Sequence, residues 1–121
     1  MAIKGERRKL GFWGESKAAR FLKKNGYKIL ERNFKCKAGE IDIIASKGDT
    51  IAFVEVKTRT SDAFGEPCEA VDLTRQRRYC NAAEQYIRLK GIGLETYVLR
   101  FDIIEIKKGV LNHIENAFEW R

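Results

Sequence analysis

The chain has 121 residues and a formal net charge of +7, with 34% of its residues charged. That length fits one domain, residues 1–121, and leaves no room for a second core. No apolar run approaches the roughly 20 residues that span a bilayer, and the basic N-terminus lacks the apolar core of a secretion signal, so a cytoplasmic protein with no membrane partner is expected. The three cysteines, Cys36, Cys68 and Cys80, show no C-x-x-C spacing. They read as reduced thiols rather than as zinc ligands or disulfides.

The charge is spread unevenly. Residues 1–37 hold twelve Lys/Arg and three Glu, a local charge of +9, while the remainder sums to −2. A basic third of this kind suits a polyanionic partner. A merely solvated basic helix is the alternative.

Residues 1–9 are polar and basic, and are expected to fray. A helix is predicted from Leu10 to Lys24, ended by Asn25-Gly26. Leu10, Trp13, Ala18, Phe21 and Leu22 form its apolar stripe. Gly11 and Gly14 weaken helix propensity, which suggests close approach of another backbone or a ligand. Lys17 belongs to the basic surface of this helix and is a candidate nucleic-acid contact. Glu15 is an acid among many cations and is open to two readings, a helical ion-pair partner or a functional acid.

Tyr27–Phe34 reads as a first strand towards one side of a sheet, followed by a basic turn over 35–38. Gly39–Lys57 is the most informative stretch. Two runs rich in Ile, Val and Phe flank Gly48-Asp49, the pattern of a two-residue β-hairpin. Pairing Lys47 with Thr50 sets Ala45 opposite Ala52, Ile43 opposite Val54 and Ile41 opposite Val56 on one apolar face. The other face then runs Ser46/Ile51, Ile44/Phe53, Asp42/Glu55 and Glu40/Lys57. A slip by one residue would mix the faces. Opposed side chains have Cβ atoms about 5 Å apart, so Asp42 and Glu55 would repel each other. A raised pKa, a cation or a divalent metal must offset that repulsion. Lys57, two residues past Glu55, points the same way. Glu40 reads equally as an ion-pair partner of Lys57 or as a further ligand.

Residues 58–67, which hold the chain's single proline, are expected to form a loop. Within this stretch Arg59 is a candidate phosphate contact and Phe64 a candidate base-stacking ring. Asp72 is a good N-cap for a helix running to Lys90 and stopped by Gly91. Tyr79, Ala82, Ala83, Tyr86, Ile87 and Leu89 form its core face. Arg75, Gln76, Arg77 and Arg78 cluster in its first turns, where donors suit phosphate; Arg75, Gln76 and Arg78 are the candidate nucleic-acid contacts. Thr96–Lys107 reads as a strand, with Arg100 and Asp102 as a structural pair on its mixed face. Val110–Glu115 reads as an edge strand. Its His113, the only histidine, is an ordinary strand residue or, less simply, a general base.

Asp42 followed by Glu55-Val56-Lys57 resembles the D…(D/E)-x-K signature of restriction-endonuclease-like nucleases. A longer series resembles the YraN-like family of small bacterial proteins, expected to be endonucleases and related to archaeal Holliday junction resolvases. That series is Gly14-Glu15, Gly26-Tyr27, Arg32-Asn33-Phe34, Gly39-Glu40-Ile41-Asp42, Phe53–Lys57, Phe64-Gly65, Arg100-Phe101-Asp102 and Asn116-Ala117-Phe118. The resemblance implies a restriction-endonuclease-like core at the α/β to α+β boundary, in the order αβββαβ(β). The sheet would be mixed, with helices on its faces and a right-handed parallel crossover into the 96–107 strand.

The resemblance also implies a metal-dependent DNA endonuclease, acting on branched or structured DNA. Asp42, Glu55 and the Val56 carbonyl would bind Mg²⁺ or Mn²⁺, Lys57 would position the attacking water, and Glu15 would assist. The alternatives are a non-catalytic nucleic-acid-binding module on the same fold, and a nuclease subunit that needs a partner. DNA versus RNA stays open, and analogy with junction resolvases points to a homodimer.

Overall fold

The computed structural model describes residues 4–59 and 72–120, with residues 4–10 described by their backbone alone. The readings for residues 1–3, for the loop from Thr60 onward with Phe64 and Gly65, and for Cys68 lie outside the described residues.

The elements follow the chain as α1 (Lys4–Lys24), β1 (Lys28–Cys36), β2 (Gly39–Lys47), β3 (Thr50–Arg59), α2 (Leu73–Lys90), β4 (Val98–Lys107) and β5 (Val110–Phe118). They build a five-stranded sheet in the order β1-β2-β3-β4-β5. β3 and β4 pair in parallel through the α2 crossover, and the other neighbours are antiparallel. This mixed sheet with two helices is an α+β fold consistent with a restriction-endonuclease-like core.

Local chemistry accounts for most boundaries. Asp72 caps α2 by accepting the Arg75 N–H at 2.9 Å, which satisfies an orphan donor of the first turn. Gly91 ends the helix in the left-handed region at φ 64°, where a side chain would be strained. α1 starts at Lys4, earlier than the expected Leu10, because the Lys, Arg and Glu that precede Leu10 are good helix formers. β1 runs on to Cys36 because Cys36 pairs directly with Gly39 across a two-residue turn.

The sheet separates two apolar clusters. On one face α1 lays Ala18, Ala19 and Leu22 against Ile43, Ala45, Ala52, Val54, Ile104 and Ile106. On the other face α2 sets Tyr79, Ala82, Ala83, Tyr86 and Ile87 over Ile44, Ile51, Phe53, Phe101 and Ile103. Two expected core residues are on the surface instead: Trp13 on α1 and Leu89 on α2 are exposed. A helical stripe spans only the arc that meets the sheet, and both residues fall at its ends. Gly14 is explained by contact, since a Cβ there would collide with Thr58 Oγ1. The missing side chain lets α1 rest on the end of β3, beside Lys57.

β4 and β5 carry a polar inclusion. Asp102 is fully buried. Its carboxylate accepts two bonds from the Arg100 guanidinium, each 2.8 Å, and one from the Asn116 N–H at 3.0 Å. His113 Nε2 lies 2.8 Å from the same carboxylate. The β4–β5 register shifts here, between Phe101 and Ile103, and Asn116 adopts φ 52° to present its N–H. Arg100 also donates to the Tyr27 hydroxyl at 2.6 Å. The structural reading of Arg100 and Asp102 fits this arrangement, and it draws in His113 as well.

Candidate active site

The β2–β3 hairpin pairs in the expected register from Lys47–Thr50 to Ile43–Val54. It then departs from expectation. Ile41 and Ile43 are two residues apart, yet Ile41 joins the cluster under α2 and Ile43 the cluster under α1. The alternation of the strand is therefore broken at Asp42. The expected apolar face with Ile41 opposite Val56 does not form. β1 breaks in the same place: Asn33, between the residues paired with Ile41 and Ile43, takes φ 53°. Asparagine tolerates this left-handed conformation better than most residues.

The break changes what Asp42 does. Its Oδ2 accepts the Val56 N–H at 2.8 Å, so a side chain takes a donor of β3 where the ladder has ended. Asp42 and Glu55 then line one cleft, about 190 Å³, together with Gly39, Glu40, Arg75, Arg78 and Tyr79. Burial pushes the Asp42 carboxyl up to about 7. The Val56 bond opposes that shift, while Glu55, Glu15 and Glu40 add to it by charge repulsion.

Glu55 is buried. Its Oε1 lies 2.9 Å from the Lys57 ammonium and 2.7 Å from the Arg75 guanidinium. Its Oε2 is buried with no protein partner. The Tyr79 hydroxyl lines the same cleft, and burial, then the charges of Glu55 and Asp42, raise it above its ordinary pKa. Lys57 turns to Glu55 and not to Glu40, the partner given by simple cross-strand register.

Glu15 approaches from α1. Its carboxyl is raised by burial and by Glu40, and is lowered by Arg32, Lys35 and a hydrogen bond with Asn33. Its neighbours are thus on β1 and β2, and no helical ion pair with Lys17 or Arg20 forms. Its Oε1 is a second buried oxygen without a protein partner.

The expected nucleic-acid contacts divide. Arg75 and Arg78 line the cleft, and Gln76 is buried on α2. Arg59 does not line it; its Nε pairs with Glu105 at 2.9 Å. Lys17 is also elsewhere, donating to the Gly109 carbonyl at 2.7 Å. Two residues gain roles that their sequence context did not give them. Tyr79 reads as core, yet it follows Arg75 by four positions and so shares its helix face. Asn33 is an asparagine inside a strand, a residue type depleted there.

The donor set can be tested against a divalent ion. Among the described residues, no three acidic, cysteine or histidine side chains converge to cage an ion by themselves. Magnesium, however, is usually held by one or two carboxylates and keeps several waters. Asp42 and the Oε2 of Glu55, which line one cleft, fit that open kind of site; the Val56 carbonyl is the third ligand that the resemblance implies. A cation there would also offset the repulsion that raises Asp42.

Comparison with known proteins agrees with the motif series. A family model described as "Uncharacterised protein family UPF0102" matches residues 14–106. A UPF0102 protein of Clostridium perfringens is 47% identical, covering 96% of this chain and 98% of its own length. One from Alkaliphilus oremlandii is 49% identical over 92% of this chain and 98% of its own. One from Caldanaerobacter subterraneus is 50% identical over 95% and 98%. With the matched span running from the Gly14 contact through the acidic cleft and into β4, this chain belongs to the UPF0102 family, the YraN-like family that its motifs resemble.

Proposed function

We propose that the protein is a metal-dependent endonuclease that hydrolyses phosphodiester bonds of DNA. One observation carries this reading: Asp42 and Glu55 share a cleft in which a buried carboxylate oxygen has no protein partner, with an ammonium 2.9 Å from the same carboxylate. Asp42, Glu55 and the Val56 carbonyl would hold Mg²⁺ or Mn²⁺, which supplies Lewis acidity to the scissile phosphate when bound.

The chain's own residues do the rest. Lys57, fixed by Glu55, orients a water and stabilises charge that builds on the phosphate. The water oxygen bonds to phosphorus as the bond to the leaving oxygen breaks, and the leaving oxygen takes up a proton. Arg75 and Arg78, in the first turns of α2, flank the cleft where phosphate oxygens would lie. Glu15 acts from α1, where one of its carboxylate oxygens is buried without a partner. The reading places the protein in a reducing cytoplasm, where cysteines stay as thiols. No helix among the described residues is long and apolar enough to cross a membrane.

Cleavage of supercoiled plasmid and of four-way junctions with Mg²⁺ or Mn²⁺ tests this. Asp42→Ala and Lys57→Ala should each lower the rate at least about 100-fold while DNA binding stays nearly unchanged. Cleavage that persists in chelator, or in Asp42→Ala, overturns the mechanism. A second reading, a non-catalytic nucleic-acid-binding module, is favoured by the two cations already on Glu55 Oε1. In that case neither metal nor these substitutions would alter the DNA, while binding would remain.

A further inference from the structure

The middle turns of α1 carry an arrangement that the acidic cleft does not use. Phe12 and Trp13 are adjacent, and are 66% and 45% exposed. Single exposed apolar residues are ordinary. Here each ring has a cation over it: the Lys17 ammonium is 5.2 Å from the Trp13 ring centre, and the Arg32 guanidinium is 5.7 Å from that of Phe12. Both cations are anchored. Lys17 donates to Gly109 O at 2.7 Å, and Arg32 donates to Ser16 Oγ at 3.2 Å. The rings are thus bordered by fixed charge on the most basic part of the chain.

Their position relative to the cleft is also fixed. Gly14, the next residue, rests on Thr58, which follows Lys57 on β3. Glu15 follows, and its charge is felt at Asp42. Phe12 therefore stands within one helical turn of an acid of the proposed site.

We propose that Phe12 and Trp13 form a stacking platform for unpaired bases, so that the protein prefers DNA with a single-stranded or splayed segment over continuous duplex. This inference rests on the nuclease reading for the identity of the polymer, and adds the class of DNA. In a continuous duplex each base face is covered by its neighbours. An unpaired base offers a face that an aromatic ring can take. The surrounding cations match the phosphates of such a strand. Rings interleaved with cations are what single-strand recognition requires, and a cationic rim is a poor match to a second copy of this basic chain.

Binding is measured by fluorescence anisotropy in chelator, where cleavage plays no part. The probes are a continuous duplex, the same duplex with a splayed end, and a single strand. Three forms are compared: wild type, the double variant Phe12→Leu/Trp13→Leu, and the ring-keeping Phe12→Tyr/Trp13→Phe. The leucines retain apolar volume at exposed positions, and thermal melting checks that each form is folded. Wild type should prefer the splayed probe. The leucine variant should bind it at least about tenfold more weakly, with duplex binding changed less than about twofold because phosphate contacts persist. The ring-keeping variant should match wild type.

Equal losses on duplex and splayed DNA, or no loss on either, overturn the proposal. So does a leucine variant whose sedimentation shows an altered oligomeric state, which would make the rings a contact between copies. Failure of the nuclease reading would appear separately, as absent cleavage with Mg²⁺ and intact binding preference in chelator.

Discussion

Asp102 on β4 and Asp42 on β2 are both carboxylates drawn into one sheet, and the fold treats them in opposite ways. Burial alone would raise the Asp102 carboxyl, yet bonds from His113, Arg100 and the Asn116 N–H outweigh it and hold the group below its ordinary pKa. Asp42 receives the Val56 N–H, and burial, with added repulsion from Glu55, Glu15 and Glu40, pushes its pKa up to about 7. The β4–β5 register is bent to bring donors to Asp102. The β1–β2 strands are bent to bring acids together around Asp42. Buried polar groups are normally satisfied. A network that is complete reads as structural, and one that leaves oxygens without partners reads as a place for something the chain does not supply.

The contrast can be broken most forcefully at the satisfied end. Asp102→Ala should destabilise the protein by about 3–5 kcal/mol, since it removes the buried acceptor shared by the Arg100 guanidinium, His113 and the Asn116 N–H. Urea unfolding measures this, and a change below about 1 kcal/mol would show that the network contributes little.

Asp42→Asn should have the opposite sign. The Asp42 pKa is higher folded, about 7, than its ordinary 3.8. The folded state therefore binds the proton more tightly, and stability falls as pH rises from about 4 through 7. The penalty is complete above pH 7. The amide keeps an acceptor for the Val56 N–H and carries no charge. At pH 8 the variant should exceed wild type by about 2 kcal/mol, a value discounted for solvent screening; at pH 4 the two should agree. Melting curves at both pH values decide it, and equal stability at pH 8 would mean that the repulsion is relieved in some other way.

Magnesium sharpens the same point. At ten times its dissociation constant, an ion bound at the cleft should stabilise wild type by about 1.4 kcal/mol, and should stabilise Asp42→Asn much less. Equal shifts would place the ion elsewhere. The smallest effect belongs to an exposed pair. Glu84→Ala removes the 2.9 Å contact with Arg88 on the surface of α2 and should change stability by less than about 0.5 kcal/mol.

Much of the framework was legible in the chain. The hairpin register around Gly48-Asp49 and the Asp72 and Gly91 ends of α2 depend on residues a few positions apart. The period of side chains and the chemistry of caps act at that range. The family motif pointed to Asp42, Glu55 and Lys57 as a group, and alternation along β3 put Glu55 and Lys57 on one side.

Other features depend on partners brought together from a distance. The alternation break at Asp42 needs Asn33 on β1 in its left-handed conformation. The Asp102 network recruits His113 and Asn116 from β5, and its Arg100 reaches Tyr27, between α1 and β1. Arg59 is claimed by Glu105 on β4, which no local pattern announced. Trp13 lies outside the core because the sheet contacts only part of the α1 stripe.

The sequence by itself determined the order of the elements, the Gly48-Asp49 turn, the two ends of α2, and which acids and cations the hairpin carries, because backbone propensity and side-chain period are local. Tertiary structure alone decided which of those acids receive donors and which do not. Burial and hydrogen bonding are set by whatever packs across the strand, and the sign of each carboxylate's shift follows from them.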